Sequence, residues 1–289
     1  MNIEVFIEKR KRMHFSQAEL AQGICTQATL SKFERNGKVP SFRILLKLCD
    51  RLGLTLNELF PVDQGNSDRQ AVLDSVENHL LQERYPEMLR ELAELGESPT
   101  DTARFQMRYY FLRGYATALG GGDLTRALAD FAQILERLDA GHHTMFSVLA
   151  YAGTGIAYDQ AGEADRAEAY FNQVAGAIRQ LTFRNRYVIW RALNVVYYTA
   201  EYYSRRQEFT VSDDLLSYGF QICARYHVTY YLARITYRHA LNLLAQRGDL
   251  DEIRAEFRDA AAFARLNGNH RVQLLIADEL AGLDRYPTD

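Results

Sequence analysis

The sequence predicts an all-α protein of two domains, and three observations lead to this prediction. Only 5 of the 289 residues are proline, the residue that most disrupts a helix. The first sixty residues carry closely spaced helix-capping signals, whereas the rest carries a recurring motif of glycine, an acidic residue and phenylalanine. We expect a five-helix domain at residues 1–62, a linker at 63–67 and a helical repeat domain at 68–289.

Charge is distributed unevenly between these two domains. Residues 1–65 hold ten Lys and Arg against seven Asp and Glu, while the rest of the chain has a net charge of −6. A basic domain joined to an acidic one is suited to contacting phosphate through the basic part. The small size of the bias means that it supports nucleic-acid binding without establishing it.

Cysteine usage and hydropathy indicate the cellular compartment. The three cysteines, Cys25, Cys49 and Cys223, are odd in number and widely spaced, which argues against a disulfide framework or a zinc cluster. No apolar run reaches the roughly 18 residues of a membrane span. We therefore expect a cytoplasmic protein without a cofactor, a metal or a membrane partner.

The first helices are predicted by periodicity and capping residues. Apolar residues recur at helical spacing over residues 2–13. Ser16 and Glu19 have the spacing of a capping box, which begins a second helix. Thr26 is an N-cap candidate for a third helix over residues 27–35. A short turn therefore separates the second and third helices.

Two more short helices complete the predicted N-terminal domain. Gly37 ends the third helix, because glycine adopts the left-handed conformation that follows a helix C-terminus. Ser41 begins the fourth helix, and a second capping box at Thr55 and Glu58 begins the fifth. Five short helices with a tight turn between the second and third are typical of a helix-turn-helix domain.

The same region resembles the Cro/repressor (XRE) class of DNA-binding domains over about 55 residues. The resemblance lies in Phe15-Ser16-Gln17-Ala18-Glu19-Leu20-Ala21, in Gly23-Ile24-Cys25-Thr26-Gln27-Ala28-Thr29-Leu30-Ser31-Lys32-Phe33-Glu34 and in Gly37-Lys38-Val39-Pro40-Ser41. The turn before Gln27 is one residue shorter than in the commonest XRE form. In this respect it resembles the Rgg/PlcR-type (RRNPP) peptide-sensing, quorum-sensing regulators of Gram-positive bacteria.

The resemblance implies that the third helix enters the major groove of double-stranded DNA. Gln27, in its first turn, can pair with adenine, and Ala28 can contact a thymine methyl group. Gln17 matches the family position that contacts a backbone phosphate. Further candidates for base or phosphate contacts are Thr29, Ser31, Lys32, Arg35, Lys38, Ser41 and Arg43.

Plainer interpretations of several of these residues stay open. Gln17 and Gln27 are also compatible with ordinary surface amides, and Arg43 with a solvated side chain. Arg10 and Arg12 either hold phosphates or are solvated. Because Glu34 is acidic, we expect it to brace the domain through an ion pair and to make no base contact.

An internal repeat organises the second domain. Glycine, an acidic residue, a small or apolar residue five positions after the glycine and a phenylalanine nine positions after it recur from Gly122, Gly162 and Gly248. This is the pattern of tetratricopeptide-like (TPR-like) helical hairpins, which stack into a right-handed solenoid. Divergent units near residues 82–95 and 207–226, the latter with Ser212 as a candidate cap, bring the total to about five pairs.

Polar and aromatic stripes on the predicted first helices suggest a binding groove. Peptide-sensing relatives use Asn and Arg side chains on the concave face, where an amide can pair with peptide backbone and a guanidinium with a carboxylate. The candidate peptide-binding residues are Tyr151, Tyr158, Arg191, Asn194, Tyr198, Arg234, Arg238 and Asn242. Ion pairing within the domain, or burial of the tyrosines in its core, is the alternative explanation for each.

The sequence leaves two functions in competition. One is a transcription regulator controlled by a short signalling peptide. The other is an XRE-family regulator whose repeat domain serves only dimerisation or binding of a protein partner. An enzyme is not expected, because the seven histidines are scattered and no His-Glu-x-x-His, phosphate-binding loop or nucleophile elbow is present.

A homodimer is expected because one small head reads few base pairs, and two heads on a palindromic operator multiply the specificity. We expect the dimer contact within residues 229–283. The candidate contact residues there are Leu243, Leu244, Phe257, Phe263, Leu274 and Leu275.

Overall fold

A computed structural model of the chain describes residues 3–60, 64–183 and 186–283. Every regular element in this part of the chain is helical, which confirms the predicted all-α class. The chain divides into two compact units at residues 1–71 and 72–289. Among the described helices, none combines the length and apolar character that crossing a lipid bilayer requires.

The first unit contains the five predicted short helices. They are α1 (Ile3–Arg12), α2 (Gln17–Ala21), α3 (Gln27–Asn36), α4 (Phe42–Leu52) and α5 (Leu56–Leu59). The side chains that pack between them are apolar and fully buried, and the rings of Phe6 and Phe33 meet edge to face at 5.1 Å. This aromatic contact fixes α1 against α3.

Helix α6 (Gln64–Leu81) corrects the predicted linker. Residues 64–67 are helical, although their composition favours an irregular segment, and residue 63 lies outside the described residues. The buried side chains of the helix, Leu73, Val76 and Leu80, come later at helical spacing and anchor it in the second unit. Once a helix has been nucleated, each further residue adds a hydrogen bond at low cost, so the anchored part can extend into a polar start.

Five consecutive helical pairs and a final helix follow α5, and all of them lie in the second unit except the start of α6, which precedes residue 72. The first pair is α6 with α7 (Tyr85–Leu95). The others are α8 (Ala103–Leu119) with α9 (Leu124–Ala132), α10 (Met145–Gln160) with α11 (Ala164–Ile178), α12 (Arg186–Arg205) with α13 (Phe209–Tyr226), and α14 (Leu232–Ala245) with α15 (Leu250–Leu266). A π-helical turn (Gln133–Leu138) continues α9, and α16 (His270–Leu283) ends the array.

The repeat motif performs the packing role that its spacing predicts. The residues five and nine positions after each motif glycine are fully buried, namely Ala127, Phe131, Ala167, Phe171, Ile253 and Phe257. Asp123 and Asp249 cap α9 and α15, since their carboxylates accept hydrogen bonds from backbone amides of the first turn. Glu163, at the same place before α11, makes no such bond.

Two expectations about the later pairs are wrong. Ser212 does not cap a helix, because α13 begins at Phe209 and the buried Ser212 hydroxyl donates to the carbonyl of Ala200 on α12. Phe257 is not an exposed dimer-contact residue, because it is fully buried in the core of the last two pairs.

The other candidate dimer-contact residues fall into two groups. Leu243, Leu244 and Phe263 are partly buried and pack against the same core. Leu274 and Leu275 are 69% and 41% exposed on α16. Leu250 and Leu266, at the two ends of α15, are exposed as well, so the exposed apolar surface in the predicted segment lies on both of the last two helices.

Candidate functional site

Local hydrogen bonds position the second and third helices of the first unit. The capping box predicted at Ser16 and Glu19 is formed, and the Thr26 hydroxyl accepts from the backbone amide of Thr29. Gly37 ends α3 in the left-handed conformation, with φ of 66°. Arg51 on α4 donates to the carbonyls of Leu20 and Gln22, which satisfies the exposed end of α2.

A chain of side-chain hydrogen bonds orients the exposed amide of Gln27. The Nε2 of Gln27 donates to the Oε1 of Gln17 over 2.8 Å, and the Nε2 of Gln17 donates to Glu34 over 2.8 Å. Glu34 in turn accepts two bonds from the guanidinium of Arg10, at 2.7 and 2.8 Å. Both ends of the Arg10–Glu34 pair are largely buried. The amide of Gln27 is therefore held by an ion pair in the domain core.

This geometry decides the alternatives for two charged residues. Glu34 is a brace, as the sequence predicts. Arg10 is neither a phosphate ligand nor a solvated side chain, since its guanidinium is committed to Glu34 and to the carbonyl of Phe15. Arg10 therefore supports the hydrogen-bond chain that runs through Glu34 and Gln17 to Gln27.

The predicted DNA-contact residues all belong to α2, to α3 or to the segment that begins α4. Seven of the ten are exposed, namely Gln27, Ala28, Lys32, Arg35, Lys38, Ser41 and Arg43. The other three, Gln17, Thr29 and Ser31, are half-buried. The hydroxyl of Thr29 is hydrogen-bonded to that of Thr26 over 2.8 Å. Thr29 therefore supports the start of α3 and has less hydrogen-bonding capacity left for a ligand.

In the second unit, a buried ionic network joins α6, α8 and α12. Glu77 on α6 accepts from Arg108 on α8 at 2.8 Å and from Arg191 on α12 at 2.5 Å. Asp74 also pairs with Arg108. Burial lowers the pKa of Arg191 against the opposing effect of Glu77, whereas Glu77 and Asp74 together overcome burial and raise the pKa of Arg108. With two carboxylates, Glu77 and Asp74, Arg108 is compensated more fully than Arg191, which has Glu77 alone among the described residues.

A second network joins the end of α6 to α14 and α16. The Nη2 of Arg234 donates to the carbonyl of Leu81 over 3.0 Å and lies 3.1 Å from the carboxylate of Glu83. Arg271 on α16 lies 3.2 Å from the other oxygen of Glu83. Arg234 is 2% exposed, so its partners come from within the unit.

The structure buries most of the predicted peptide-binding residues on α12 and α14. Asn194 and Asn242 are fully buried and Tyr198 is 4% exposed. Both ends of the Asn242 amide are used, by Ser204, Ser212 and Asp213, and Arg238 pairs with Glu201. Asn194 donates to the Tyr231 hydroxyl, while its Oδ1 has no hydrogen-bond partner.

The two remaining candidates, Tyr151 and Tyr158, lie together at a different place. Both are half-buried beside Tyr170 of α11, with ring centroids 6.0 and 5.7 Å from it. The predicted peptide set is therefore distributed over a half-exposed tyrosine group on α10 and buried polar groups on α12 and α14.

Two adjoining cavities flank α6. The α6–α12 cavity, of about 220 Å³, is lined by Asp74, Glu77, Asn78, Leu81, Arg186, Tyr187, Trp190 and Tyr230. The α6–α14 cavity, of about 160 Å³, is lined by Asn78, Leu81, Gln82, Tyr230, Ala233, Arg234, Asn267 and Asn269. Arg234 is the one residue of the predicted peptide set that lines either cavity.

Sequence reasoning missed the lining residues from α6 for an identifiable reason. The predicted stripes lie on α10, α12 and α14, whereas α6 precedes the first motif glycine, Gly122. A signal was present, because Asp74, Glu77 and Asn78 alternate with the apolar Leu73, Val76 and Leu80 at helical spacing. This pattern marks a helix with one polar side next to its buried side.

Comparisons with known proteins agree with both units. Residues 7–59 match the Helix-turn-helix family. The whole chain has the fold of Bacillus thuringiensis PlcR, solved in complex with the peptide PapR7 and DNA, with a TM-score of 0.75 at 16% identity over 95% of this chain and 98% of that one. A search of characterised proteins by sequence finds no match.

Two further solved structures have the same fold. ComR from S. thermophilus, in complex with DNA and its signalling peptide ComS, has a TM-score of 0.67 at 14% identity, covering 96% of this chain and 98% of that one. The Streptococcus dysgalactiae SHP pheromone receptor Rgg2 has a TM-score of 0.56 at 13% identity, covering 96% and 98%. An N-terminal helix-turn-helix domain followed by helical repeats is thus the architecture of this chain.

Proposed function

We propose that this chain is a sequence-specific DNA-binding transcription regulator, controlled by a short signalling peptide that binds the helical repeat unit. One observation carries the DNA-binding half, namely the exposed Gln27 amide held in place on α3 by Gln17. The peptide half is supported by the shared fold, because PlcR and ComR were solved with signalling peptides and DNA.

The hydrogen bonds of Gln27 suit it to reading adenine. One N–H of its Nε2 is used by Gln17, which leaves the second N–H and the Oε1 for a base. Adenine offers the matching pair in the major groove, the N7 acceptor and the N6 donor. Because the amide is already oriented, little side-chain freedom is lost on binding.

The remaining exposed residues of the surface fit supporting roles. Ala28 is small enough to meet a thymine methyl group, and Lys32 on α3 can reach bases or phosphates. We assign phosphate contacts to Arg35, Lys38, Ser41 and Arg43, and to the half-buried Gln17 through the second N–H of its Nε2, since the first donates to Glu34. Such contacts set the register of the helix on DNA and carry no sequence information themselves.

Peptide control requires that the ligand favour one of two states of the repeat unit. We propose that the protein acts in the cytoplasm as a homodimer on a palindromic operator and has no enzymatic activity. Tyr151 and Tyr158 remain candidates for contacting apolar side chains of a peptide, because they are half-buried and adjacent.

A second candidate function is a regulator whose repeat unit serves dimerisation or binds a protein partner without any peptide. The burial of Asn242 and the pairing of Arg238 with Glu201 favour it, because these polar groups already have partners within the chain. Calorimetric titration of the purified protein with secreted peptides encoded near its gene distinguishes the two functions.

The DNA-binding half is tested by replacing Gln27 with alanine. We expect Gln27→Ala to weaken operator binding by about 1–3 kcal/mol and to relax the preference at one base pair, because a bidentate base contact is lost. Fluorescence anisotropy on fragments selected from the source genome, at two salt concentrations, measures both effects.

The same substitution at an exposed glutamine of the second unit, Gln160→Ala, is the matched control and should leave binding unchanged. Unchanged affinity and base preference in Gln27→Ala would remove Gln27 from the DNA-contact surface. Absence of salt-sensitive binding by the unaltered protein to any fragment would refute DNA regulation altogether.

A further inference from the structure

The two cavities beside α6 share one wall. Asn78 and Leu81 of α6, together with Tyr230, line both of them. Tyr187 and Trp190 add aromatic surface on the α12 side, and Asn78 supplies an amide that can pair with both the N–H and the C=O of a peptide bond. Aromatic walls with a few placed polar groups are the usual lining of a ligand site.

Positive charge is in excess in the ionic networks behind this pair of cavities, whereas the lining itself is balanced, with Asp74 and Glu77 against Arg186 and Arg234. Glu77 is shared by Arg108 and Arg191, and Glu83 is shared by Arg234 and Arg271. Asp74 adds a third carboxylate, on Arg108, whereas Arg186 adds a fifth guanidinium, which lies 5.3 Å from the centre of the Tyr187 ring. Five arginines against three carboxylates leave a surplus of two positive charges among these groups.

Arg191 is incompletely hydrogen-bonded, as is Arg234, whose Nη1 has no hydrogen-bond partner. Arg191 is 5% exposed, and its Nε has no hydrogen-bond partner. The negative charge of Glu77 stabilises the charged form of Arg191, whereas the positive charges of Arg108 and Arg104 destabilise it. A buried guanidinium in this condition is stabilised by any further carboxylate that reaches it.

We propose that this pair of cavities is the binding site for an acidic peptide, whose carboxylates neutralise the surplus charge and compete with Glu77 for Arg191. This rests on the proposed control by a peptide and specifies the ligand's chemistry and its point of action. The ligand contacts α6 directly, because α6 forms the shared wall and supplies Glu77.

The consequence for regulation follows from the position of α6 in the chain. It begins at Gln64, shortly after the end of α5 at Leu59. A ligand that displaces Glu77 from Arg191 weakens the buried contact between α6 and α12. The helix that follows the DNA-binding unit in sequence is therefore the element on which the peptide acts.

The single tryptophan of the chain gives a direct readout, because Trp190 lines the α6–α12 cavity. The probes are two synthetic octapeptide mixtures, one randomised over Asp, Glu, Leu and Phe with a free carboxyl terminus. The other is randomised over Asn, Gln, Leu and Phe with an amidated terminus. In a titration of the full-length protein at 150 mM salt, we expect both the emission of Trp190 to shift and the acidic mixture to bind with an apparent affinity at least about tenfold higher than that of the amidated mixture.

Variants locate the effect. Arg186→Gln should reduce the affinity for the acidic mixture about threefold or more, whereas Arg258→Gln, at an exposed arginine of α15, should not change it. Glu77→Gln should raise that affinity, because the competing carboxylate is lost while its shape is kept. Far-UV circular dichroism establishes whether each variant is folded. If Glu77→Gln does not fold, the comparison of Arg186→Gln with Arg258→Gln still tests the proposed site.

The outcomes separate this proposal from the function on which it rests. Equal affinity of the two mixtures, or an equal effect of Arg186→Gln and Arg258→Gln, overturns the acidic-peptide site while peptide control stands. Binding of neither mixture overturns the acidic-peptide site, and calorimetry with the secreted peptides then decides separately whether peptide control stands. DNA binding, measured separately on the same samples, stands or falls independently of both.

Discussion

The side chain of Glu34 connects the core of the first unit with its proposed DNA-contact surface. Its carboxylate binds Arg10 and Gln17, and Gln17 orients Gln27. The sequence could predict that Glu34 forms an ion pair but could not identify the partner, because Arg10 and Glu34 are 24 residues apart and several other arginines were available. Partners at long range depend on tertiary packing, which the local pattern does not encode.

The polar stripe of Arg191 and Asn194 also shows that a local sequence pattern does not reveal tertiary partners. Their spacing correctly predicts a shared helix face, but helical spacing does not say whether another helix covers that face. The structure covers it with residues from α6 and from the segment before α14, including Glu77 and Tyr231. A polar residue on a helix face is therefore a weaker signal for a ligand than its position suggests.

A histidine between the last two pairs makes stability depend on pH. The carboxylate of Glu256, 3.5 Å from the Nδ1 of His239, raises the pKa of this half-buried histidine above its ordinary value of 6.5, against the effect of burial, and the charges of Asp213 and Glu252 add to the rise. Because the folded-state pKa exceeds the unfolded one, this contribution to stability is fully present below about pH 6.5 and is lost as the pH rises through the folded-state value.

We therefore expect the free energy of unfolding to fall more between pH 5.5 and pH 8.5 in the unaltered protein than in His239→Gln. Urea unfolding at the two pH values measures the difference, and other titrating groups cancel between the proteins. His270→Gln, at an exposed histidine, should retain the full pH dependence. Identical pH dependence with and without His239 would contradict the assignment.

At the scale of helices, the motif phenylalanine explains two interior glycines. The ring of Phe131 lies against Gly114 on α8 and Gly153 on α10, where an added Cβ would overlap it. The sequence predicts that Phe131 is buried, and the structure adds that it fits against glycine on both sides. Close packing of this kind couples neighbouring helical pairs.

Substitution of Gly153 tests this coupling. We expect Gly153→Ala to destabilise the second unit by about 1–3 kcal/mol, because the methyl group overpacks the contact with Phe131. Gly176→Ala is the matched control, since a Cβ at that exposed position in α11 meets nothing within 4 Å. It should stabilise the helix by up to about 1 kcal/mol. Denaturant unfolding of both variants measures the contrast, and equal effects would disprove it.

Helix α6 shows why element boundaries are harder to predict than elements. Polar residues and a glycine at positions 64–67 favour a linker in the local sequence, yet the structure places them in a helix. The apolar residues that stabilise this helix, such as Leu73 and Leu80, lie further along the chain. Helix extension therefore depends on tertiary burial that lies beyond the local sequence window.

For the whole molecule, the two-unit architecture could be predicted because its signals are local and repeated. Capping boxes defined the short helices of the first unit, and a motif with fixed spacing defined the pairs of the second. The proposed ligand site could not be predicted in the same way. It depends on Glu77 meeting Arg191, which are 114 residues apart, and on cavities formed where successive pairs meet α6.

The homodimer proposed for DNA binding is a property of the whole molecule, and α16 is where it can be tested. Leu274 is 69% exposed and Leu275 is 41% exposed on this last helix, so neither is needed for the core of the unit. We expect Leu274→Glu to convert a particle of twice the 33.2 kDa chain mass into a monomer, because burying an unpaired carboxylate in an apolar contact is costly.

Loss of the dimer should also lower operator affinity by about a hundredfold or more, since the second head then no longer binds at high effective concentration. Light scattering after size exclusion gives the mass, and anisotropy gives the affinity. Val211→Glu places the same charge at another apolar residue, 40% exposed on α13, and should change neither. A dimer mass that survives both Leu274→Glu and Leu275→Glu would move the contact away from α16.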